Sequence, residues 1–367
     1  MEAVFAQTGL VDIAARIARG ERLSREDGLA LMRTPHLAAL GALANTVRER
    51  LHGDRTYYII NRHLNYTNIC VNQCRFCAFS RREGEEGGYL LSVEECLRKA
   101  DEFRGGRVSE FHIVGGCHPN LQVDYYVSLL SALHQHYPDV HLQAFTAVEI
   151  AHLAQVSAIT VEECLCRLRD AGLGSLPGGG AEVFSPRVRA QLCPKKLSAD
   201  AWLDVMRTAH RLGIRSNATL LYGHIEEPEE VVDHLLRLRE LQDETHGFLA
   251  FIPLAFHPAN TELEGLAGPS AWDELRIIAV SRLLLDNIPH LKVFWIMVGL
   301  KVAQLALGFG ADDVDGTVAE ERITHAAGAQ TPESLTVEEI HRLIAEAGRV
   351  PMERDTLYQP AALAGER

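Results

Sequence analysis

The run Cys70-Val71-Asn72-Gln73-Cys74-Arg75-Phe76-Cys77 decides how this chain is interpreted. Its three cysteines have the spacing CxxxCxxC, and an aromatic residue stands directly before the third. Three thiolates in such a run bind three irons of a cubane 4Fe-4S cluster and leave the fourth iron without a protein ligand. That open iron can bind a small molecule, which a site with four cysteines would exclude. The run therefore predicts an iron–sulfur site with Cys70, Cys74 and Cys77 as metal ligands.

Zinc and disulfide bonds explain these cysteines less well. A structural zinc site needs four ligands, usually as two pairs, and no second pair follows at a suitable spacing. A disulfide framework is disfavoured because the chain shows no secretory signal and is too large to need crosslinks. The remaining cysteines are scattered, as expected of reduced thiols in a cytosolic protein: Cys96, Cys117, Cys164, Cys166 and Cys193.

Length and composition predict a globular protein of one large domain or two. The chain has 367 residues, of which 47% are hydrophobic and 23% charged, and it contains no low-complexity tract. Its apolar runs are shorter than the roughly 20 residues that cross a bilayer. A net charge of -13 opposes nucleic-acid binding, which needs a basic surface to displace counterions. We therefore expect a cytoplasmic protein with no membrane or nucleic-acid partner.

Short β-rich runs alternate with amphipathic helical stretches from residue 55 onward. Capping signals of the form Ser/Thr-x-x-Glu mark helix starts at Ser92, Thr160 and Thr336. Repeated β-then-α units imply parallel strands with right-handed crossovers. Eight units predict an α/β fold, a closed (β/α)8 barrel of the TIM type, with an open doubly wound sheet as the alternative. The eight predicted strands are residues 57–65, 110–114, 142–147, 174–176, 216–222, 249–255, 292–298 and 312–315.

The chain is predicted to have three parts. Residues 1–54 form an N-terminal helical extension that closes the bottom of the barrel, residues 55–358 form the barrel, and residues 359–367 form a C-terminal tail with a frayed end. The apolar faces of the extension carry Ile13, Ile17, Leu29, Leu31 and Met32.

Unusual segments directly follow several predicted strands, where barrels of this type place their chemistry. Besides the cysteine run, they are Gly115-Gly116-Cys117-His118-Pro119, Thr146-Ala147-Val148-Glu149, Pro177-Gly178-Gly179-Gly180-Ala181-Glu182, Tyr222-Gly223-His224 and Phe256-His257-Pro258. We expect these segments to meet at one mouth of the barrel.

Single residues in and near these segments suggest roles. Gly115 and Gly116 lack a Cβ, so their backbone can approach a ligand closely, although a tight turn explains them equally well. His224 and His257 are catalytic candidates because an imidazole can move protons or hold an anion near neutral pH. Asn217 is a third candidate, since alternation along its strand turns some polar side chains into the barrel.

The cysteine run with Phe76, followed by Gly115-Gly116, resembles the radical S-adenosylmethionine (SAM) superfamily. The resemblance implies that SAM binds the open iron of a 4Fe-4S cluster, and that one electron cleaves it to methionine and a 5'-deoxyadenosyl radical. It also implies that the two glycines contact the SAM amino group, that Glu182 binds the ribose and that Phe76 packs beside the cluster and adenine. Thr146 completes the cofactor-binding candidates. Such chemistry needs an external one-electron reductant of the flavodoxin or ferredoxin type.

Further segments are similar to the aminofutalosine synthase family: FHIVGG, LPGGGAE, NATLLYGHIE, FIPLAFHP and GADDVDGT. The similarity extends from about residue 50 to residue 358. It implies that the adenosyl radical adds to the enol-ether double bond of 3-[(1-carboxyvinyl)oxy]benzoate. Rearrangement and decarboxylation would then give 6-amino-6-deoxyfutalosine for menaquinone biosynthesis. We expect His, Asn and Arg side chains to neutralise the anionic substrate, and the Cys117 thiol to point away because thiols quench carbon radicals.

Other activities stay open at this point. The dehypoxanthine-futalosine cyclase of the same pathway abstracts hydrogen and would release 5'-deoxyadenosine, and a deazaflavin synthase subunit would use tyrosine and a pyrimidine. An iron–sulfur electron-transfer protein would have four protein ligands and no SAM. A barrel enzyme with incidental cysteines is the remaining alternative, since a fold alone does not specify function.

Overall fold

The computed structural model of the protein describes residue 5, residues 7–102 and residues 107–360. The predicted tail lies outside the described residues from position 361 onward. Three helices with described bounds precede the first strand within residues 7–102: α1 Val11–Arg19, α2 Arg25–Arg33 and α3 Leu37–His52.

Strands and helices then alternate along most of the chain. In order they are β1 Arg55–Ile59, β2 Asn61–Leu64, α4 Val93–Asp101, β3 Glu110–Ile113, α5 Val123–His136, β4 His141–Ala144, α6 Ala147–Val156, α7 Val161–Asp170, β5 Ser175–Leu176, α8 Pro186–Leu192, α9 Ala199–Arg211, β6 Arg215–Tyr222, α10 Pro228–Thr245, β7 Phe248–Ala255, α11 Ala271–Leu284, β8 His290–Leu291, α12 Trp295–Ala306, β9 Asp313–Gly316, α13 Ile323–Ala326, α14 Val337–Glu346 and β10 Val350–Glu353.

Seven parallel strands, β2 to β8 in chain order, form one curled sheet, and β10, β1 and β9 form a second. Segment 312–319 contacts both edges of the seven-stranded sheet. The amide of Asp312 donates to Leu291 O in β8 at 3.1 Å, and the amide of His63 in β2 donates to Ala319 O at 2.9 Å. The predicted α/β barrel fold of parallel strands is therefore confirmed, but its main sheet has seven strands instead of the eight predicted for a closed barrel, and this segment spans the gap between the sheet edges.

Three predicted strand features also differ from the structure. Residues 57–65 were expected to form one strand, but they are divided between β1 and β2, which belong to different sheets. Residues 292–298 were expected to form a strand, but the strand is limited to His290–Leu291 and α12 begins at Trp295. A short apolar run of this kind fits a buried strand and a buried helix equally well, so periodicity could not separate them. Strand β10 pairs in parallel with β1 and was not predicted.

The predicted helix starts are present. Ser92 and Thr336 each form a reciprocal capping box with the glutamate three residues later, and Thr160 accepts from the amide of Glu163. These caps satisfy amide groups that the first helical turn leaves without partners. They mark the residues at which these outer helices begin.

The N-terminal helices pack on the last part of the outer helical layer. Helix α3 contacts α11, and α2 contacts α10 and α11. Ile13, Ile17 and Leu31 are buried, as their spacing predicted. At the end of α3, His52 Nε2 donates to Pro289 O at 2.9 Å, just before β8 begins. The division into extension, barrel and tail stays a prediction. No helix in the described ranges is long and apolar enough to cross a membrane.

Candidate active site

A cavity of about 320 Å³ opens among the loops at the C-terminal ends of the strands. This is where parallel strands of a barrel bring distant segments together. Nearly all residues predicted for the site line this cavity: Cys70, Phe76, Cys74, Cys77, Gly115, Gly116, Thr146, Glu182 and His257. His224 and Asn217 are not among the lining residues.

The cysteine loop lies between β2 and α4 and is held by its backbone. The amide of Cys70 donates to Arg81 O at 2.9 Å, and the amide of Val71 donates to Cys117 O at 3.0 Å. A further bond from the amide of Cys77 to Cys74 O, at 3.0 Å, closes a tight turn between two of the predicted ligands. All three ligand cysteines are free and partly exposed to the cavity. The backbone therefore fixes the positions from which the thiols can bind iron.

Two further cysteines lie in hydrogen-bonding contact with the predicted ligands. Cys117 contacts Cys70 and lowers the pKa of the Cys70 thiol to about 5, although burial opposes this shift. Cys193 contacts Cys74 in the same way. Cys117 also lines the cavity, and its sulfur accepts from Asn72 Nδ2 at 3.3 Å. The expectation that this thiol points away from the site is therefore wrong, because the cysteine loop packs directly on residue 117.

Gly115 and Gly116 allow the loop after β3 to pack against the cysteine loop. A Cβ added at Gly116 would lie 2.2 Å from Ile69 O, and one added at Gly115 would lie 2.7 Å from the Tyr66 ring. Such separations are far inside van der Waals contact, so no side chain fits at either position. The absence of a Cβ is thus required by neighbouring protein atoms as well as by any ligand.

Glu149 is a buried carboxylate that joins three of these segments. Its Oε1 accepts from Tyr66 Oη at 2.8 Å and from the amide of Gly115 at 2.9 Å. Its Oε2 accepts from the amide and the Oγ1 of Thr146, both at 2.8 Å. Burial raises the pKa of Glu149 to about 6 despite these donors. Thr146 caps α6 and turns its hydroxyl to this carboxylate, so its contact with a cofactor stays a prediction.

Glu182 lies at the end of the glycine-rich segment and forms an ion pair with Lys196. Lys196 Nζ also lies 5.4 Å from the centre of the Phe76 ring, a cation–π distance. Only Oε1 of Glu182 takes part in the ion pair. Lys196 lines the cavity but was not predicted, and its only sequence signal is its place a few residues after Cys193 in the connection between α8 and α9.

The three catalytic candidates have different positions. His257 lines the cavity and donates from Nε2 to Met297 O at 2.9 Å. The side chain of His224 is fully buried in its own loop, where Nε2 donates to Leu221 O at 3.0 Å. Asn217 lies in the barrel interior with Nδ2 at 3.5 Å from Gln143 Oε1, next to a cavity residue rather than at the cavity surface. The roles of all three stay predictions.

A second group of polar residues lines the deeper end of the cavity and was not predicted from the sequence. His63 on β2 and His112 on β3 are register partners with stacked rings, and Gln143 follows on β4. Lys292 Nζ lies 2.8 Å from Asp315 Oδ1 beside them. The only available signal was alternation, which turns every second residue of these strands towards the barrel interior.

The residues present fit the cofactors that the sequence implied. The cysteines 70, 74 and 77 offer thiol ligands, the donor type that iron–sulfur clusters prefer, in one loop and on one cavity. Around the same cavity stand the paired glycines and Glu182, the groups expected to bind SAM. Cys193 and Cys117 are further thiols beside the loop, so the number of cysteine ligands is not fixed by the arrangement alone.

Two family models match the chain. Residues 64–238 match the radical SAM superfamily, and residues 245–366 match the CofH/MqnC C-terminal region. Among curated relatives, the chain is 48% identical to aminodeoxyfutalosine synthase of Thermus thermophilus, with 95% of each chain covered. It is 45% identical to aminodeoxyfutalosine synthase of Streptomyces coelicolor, over 95% of this chain and 93% of that one. A 5-amino-6-(D-ribitylamino)uracil--L-tyrosine 4-hydroxyphenyl transferase of Methanosarcina barkeri is 39% identical, with 95% and 93% covered.

Solved structures share the fold at low sequence identity. Methylornithine synthase (PylB) aligns with a TM-score of 0.73 at 20% identity, covering 92% of this chain and 96% of that one. The FeFe-hydrogenase maturase HydG from Carboxydothermus hydrogenoformans aligns with a TM-score of 0.74 at 18% identity, covering 95% and 80%. The geometry of the cysteine loop and the extent of the sequence matches agree: the chain belongs to the radical SAM superfamily.

Proposed function

We propose that the protein is a radical SAM transferase that joins the adenosyl group of SAM to 3-[(1-carboxyvinyl)oxy]benzoate. The proposal rests on sequence identity: over 95% of its length, the chain is 48% and 45% identical to two aminodeoxyfutalosine synthases. The carbon–sulfur bond of SAM breaks, and C5' bonds to the vinyl carbon of the substrate. Methionine is released by this cleavage. Rearrangement and loss of the vinyl carboxylate as CO2 or bicarbonate would then give 6-amino-6-deoxyfutalosine for menaquinone biosynthesis, and the electron that cleaved SAM would return from the product radical to the oxidised cluster.

Different residues of the cavity would have different roles in this reaction. Cys70, Cys74 and Cys77 would hold a 4Fe-4S cluster with one open iron, and the bound cluster supplies the electron that cleaves SAM. Backbone groups of the Gly115-Gly116 loop would bind the amino group of SAM. The free oxygen of Glu182 would bind the ribose, with the other held by Lys196. An external flavodoxin-type or ferredoxin-type protein would supply the electron.

The apolar lining of the site favours radical addition over reaction with solvent. The upper cavity is bounded by apolar side chains that include Val148, Leu254 and Phe256. A carbon radical formed there is kept from water and from stray hydrogen donors. Cys117 is 3% exposed, and its sulfur is occupied by contacts with Asn72 and Cys70. These contacts support its coexistence with a radical, because they restrain the thiol.

A second candidate is the transfer of a 4-hydroxyphenyl group in deazaflavin synthesis. It is favoured by relatives of that name at 38 to 43% identity. A hydrogen-abstracting cyclase of the futalosine pathway is the third candidate, since the C-terminal family model includes MqnC. Both alternatives predict that 5'-deoxyadenosine is released rather than incorporated.

The test is the fate of the adenosyl carbon. Anaerobically reconstituted and reduced protein is supplied with SAM and 3-[(1-carboxyvinyl)oxy]benzoate, and products are identified by mass spectrometry. We expect one product that contains both adenine and the aromatic ring. Release of 5'-deoxyadenosine alone would contradict radical addition, and parallel reactions with tyrosine plus 5-amino-6-(D-ribitylamino)uracil would then identify the second candidate. A Cys74→Ser variant serves as the control without cluster chemistry.

A further inference from the structure

The deep end of the cavity contains an imidazole whose ring nitrogens have no hydrogen-bond partner in the part of the chain that the structure describes. His63 lines the cavity and is only 7% exposed. Neither ring nitrogen of His63 is hydrogen-bonded to any residue in the described ranges. Its ring stacks on His112, with centroids 4.5 Å apart and an interplanar angle of 21°, and lies parallel to Phe294 at 6.4 Å. The stacking holds the ring in place while its nitrogens remain available to a ligand.

Two other histidines of the barrel use ring nitrogens on protein partners. His210, at the opposite end of the barrel, places its two nitrogens 2.7 Å from Thr245 Oγ1 and 2.7 Å from Ser216 Oγ. His112, the stacking partner of His63, contacts Gln143 Oε1 through Nδ1 at 3.1 Å. His63 lines the cavity and its ring nitrogens have no such partner among the described residues, so they can bind a polar ligand.

A buried cation also lines this cavity, close to His112, the stacking partner of His63. Lys292 lines the same part of the cavity and uses one of its three ammonium hydrogens on Asp315 Oδ1 at 2.8 Å. Asp315 has a φ of 68°, a left-handed conformation that is costly for a residue with a side chain. Both residues are buried. The ion pair thus holds an ammonium group in the cavity wall, where it can donate to a second acceptor.

The walls between this floor and the cofactor loops are apolar. Ile252 and Leu254 of β7, together with Phe294 and Met297, line the cavity there. The His63 and His112 row lies before the Gly115-Gly116 loop along the strands, hence one layer deeper in the barrel. A ligand that spans both levels therefore has one end near SAM, an apolar middle and a polar, acceptor-bearing far end.

We propose that His63 and Lys292 bind the ring carboxylate of the aromatic substrate and so select for a benzoate. The inference rests on the proposed function, because the vinyl carbon must lie near C5' and the ring carboxylate is the group farthest from it. His63 donates one hydrogen bond to the carboxylate and Lys292 donates another. The aromatic ring lies against Phe294 and Met297.

The test removes the proposed interaction once from the substrate and once from the protein. Product formation is measured with 3-[(1-carboxyvinyl)oxy]benzoate and with 2-phenoxyacrylate, which lacks the ring carboxylate. The wild-type protein should prefer the benzoate in kcat/KM by about tenfold to a hundredfold, the usual effect of a hydrogen bond to a charged group. His63→Leu should lose most of this preference, mainly through KM for the benzoate, and His63→Gln should retain part of it. His210→Gln, a buried histidine outside the cavity, is the matched control.

The outcomes separate this inference from the proposed function. If the wild-type protein makes an adenosylated product but does not prefer the benzoate, the inference is wrong and the function stands. If His63→Leu and His63→Gln keep the wild-type preference for the benzoate and have intact cluster spectra, the inference is also wrong and the function stands. If the wild-type protein forms no adenosylated product from either compound, the proposed function fails and the inference fails with it.

Discussion

Replacing Gly116 with alanine tests whether close backbone packing positions the cluster loop. The added Cβ would lie 2.2 Å from Ile69 O and 3.1 Å from Cys70 Cβ. Carbon and oxygen atoms without a covalent bond rest at about 3.3 Å or more. The two loops would therefore have to separate by about 1 Å. No side-chain rotation relieves the clash, because its closest partner is a backbone carbonyl.

The cost follows from how firmly this backbone is held. The amide of Gly116 donates to Thr67 O at 2.9 Å, and the amide of Cys70 donates to Arg81 O at 2.9 Å. Overpacking a well-packed region costs about 1 to 3 kcal/mol, and a backbone clash belongs at the upper end. Metal–ligand distances tolerate only about 0.2 Å of error, so a shift of about 1 Å at Cys70 removes one ligand.

The assay measures stability and iron binding separately. We expect cluster-free Gly116→Ala to lose about 3 kcal/mol in denaturant unfolding and to bind less than half of the wild-type iron and sulfide after anaerobic reconstitution. Gly265→Ala is the matched control, because Gly265 is exposed and an added Cβ has nothing within 4 Å. The reasoning is refuted if Gly116→Ala unfolds like this control and binds wild-type amounts of iron.

Three further predictions concern other parts of the chain. Cys74→Ser should abolish cluster binding, as measured by iron content and absorbance, whereas Cys193→Ser should retain it. The reason is that only Cys74 belongs to the CxxxCxxC run. Equal losses in the two variants would place Cys193 among the ligands. Burial raises the pKa of Glu274 to about 7, so the folded state binds the extra proton and stability falls as pH rises from about 4.5 to 7. Glu274→Gln should therefore add about 1 to 2 kcal/mol at pH 8, after allowance for solvent screening, and much less at pH 5, as measured by urea unfolding. Asp312→Asn should cost about 3 to 5 kcal/mol in the same assay, because it leaves the buried Arg282 without its carboxylate; a loss below about 1 kcal/mol would contradict this.

The residues at the mouth of the barrel could be predicted because a single rule gives their location. Segments that follow parallel strands all lie at the same end of the sheet. The cysteine run, the paired glycines, Glu182 and His257 are far apart in the chain, yet the structure brings them to one cavity. Recognising the strands was sufficient for this, even though the strand expected at residues 292–298 is in fact mostly helix.

Residues inside strands and in helical connections could not be found in this way. His63 lies within β2, and which of two alternating residues faces the interior depends on a register that the sequence does not reveal. Lys196 reaches the cavity from the connection between two outer helices. His224 follows a strand as expected, but its ring is hydrogen-bonded within its own loop. Position after a strand therefore brings a residue to the mouth without directing its side chain into it.

The packing of the paired glycines links the two halves of the cofactor site. Gly115 lies against the ring of Tyr66, and the hydroxyl of Tyr66 and the amide of Gly115 both donate to Glu149 Oε1. Gly116 lies against the carbonyl of Ile69, the residue before the first ligand cysteine. The loop expected to bind SAM and the loop expected to bind the cluster thus fix each other's position through contacts between protein atoms. Since a ligand that bridges both loops needs their spacing to be correct, Glu149 contributes to that spacing through its contacts with Tyr66, Gly115 and Thr146.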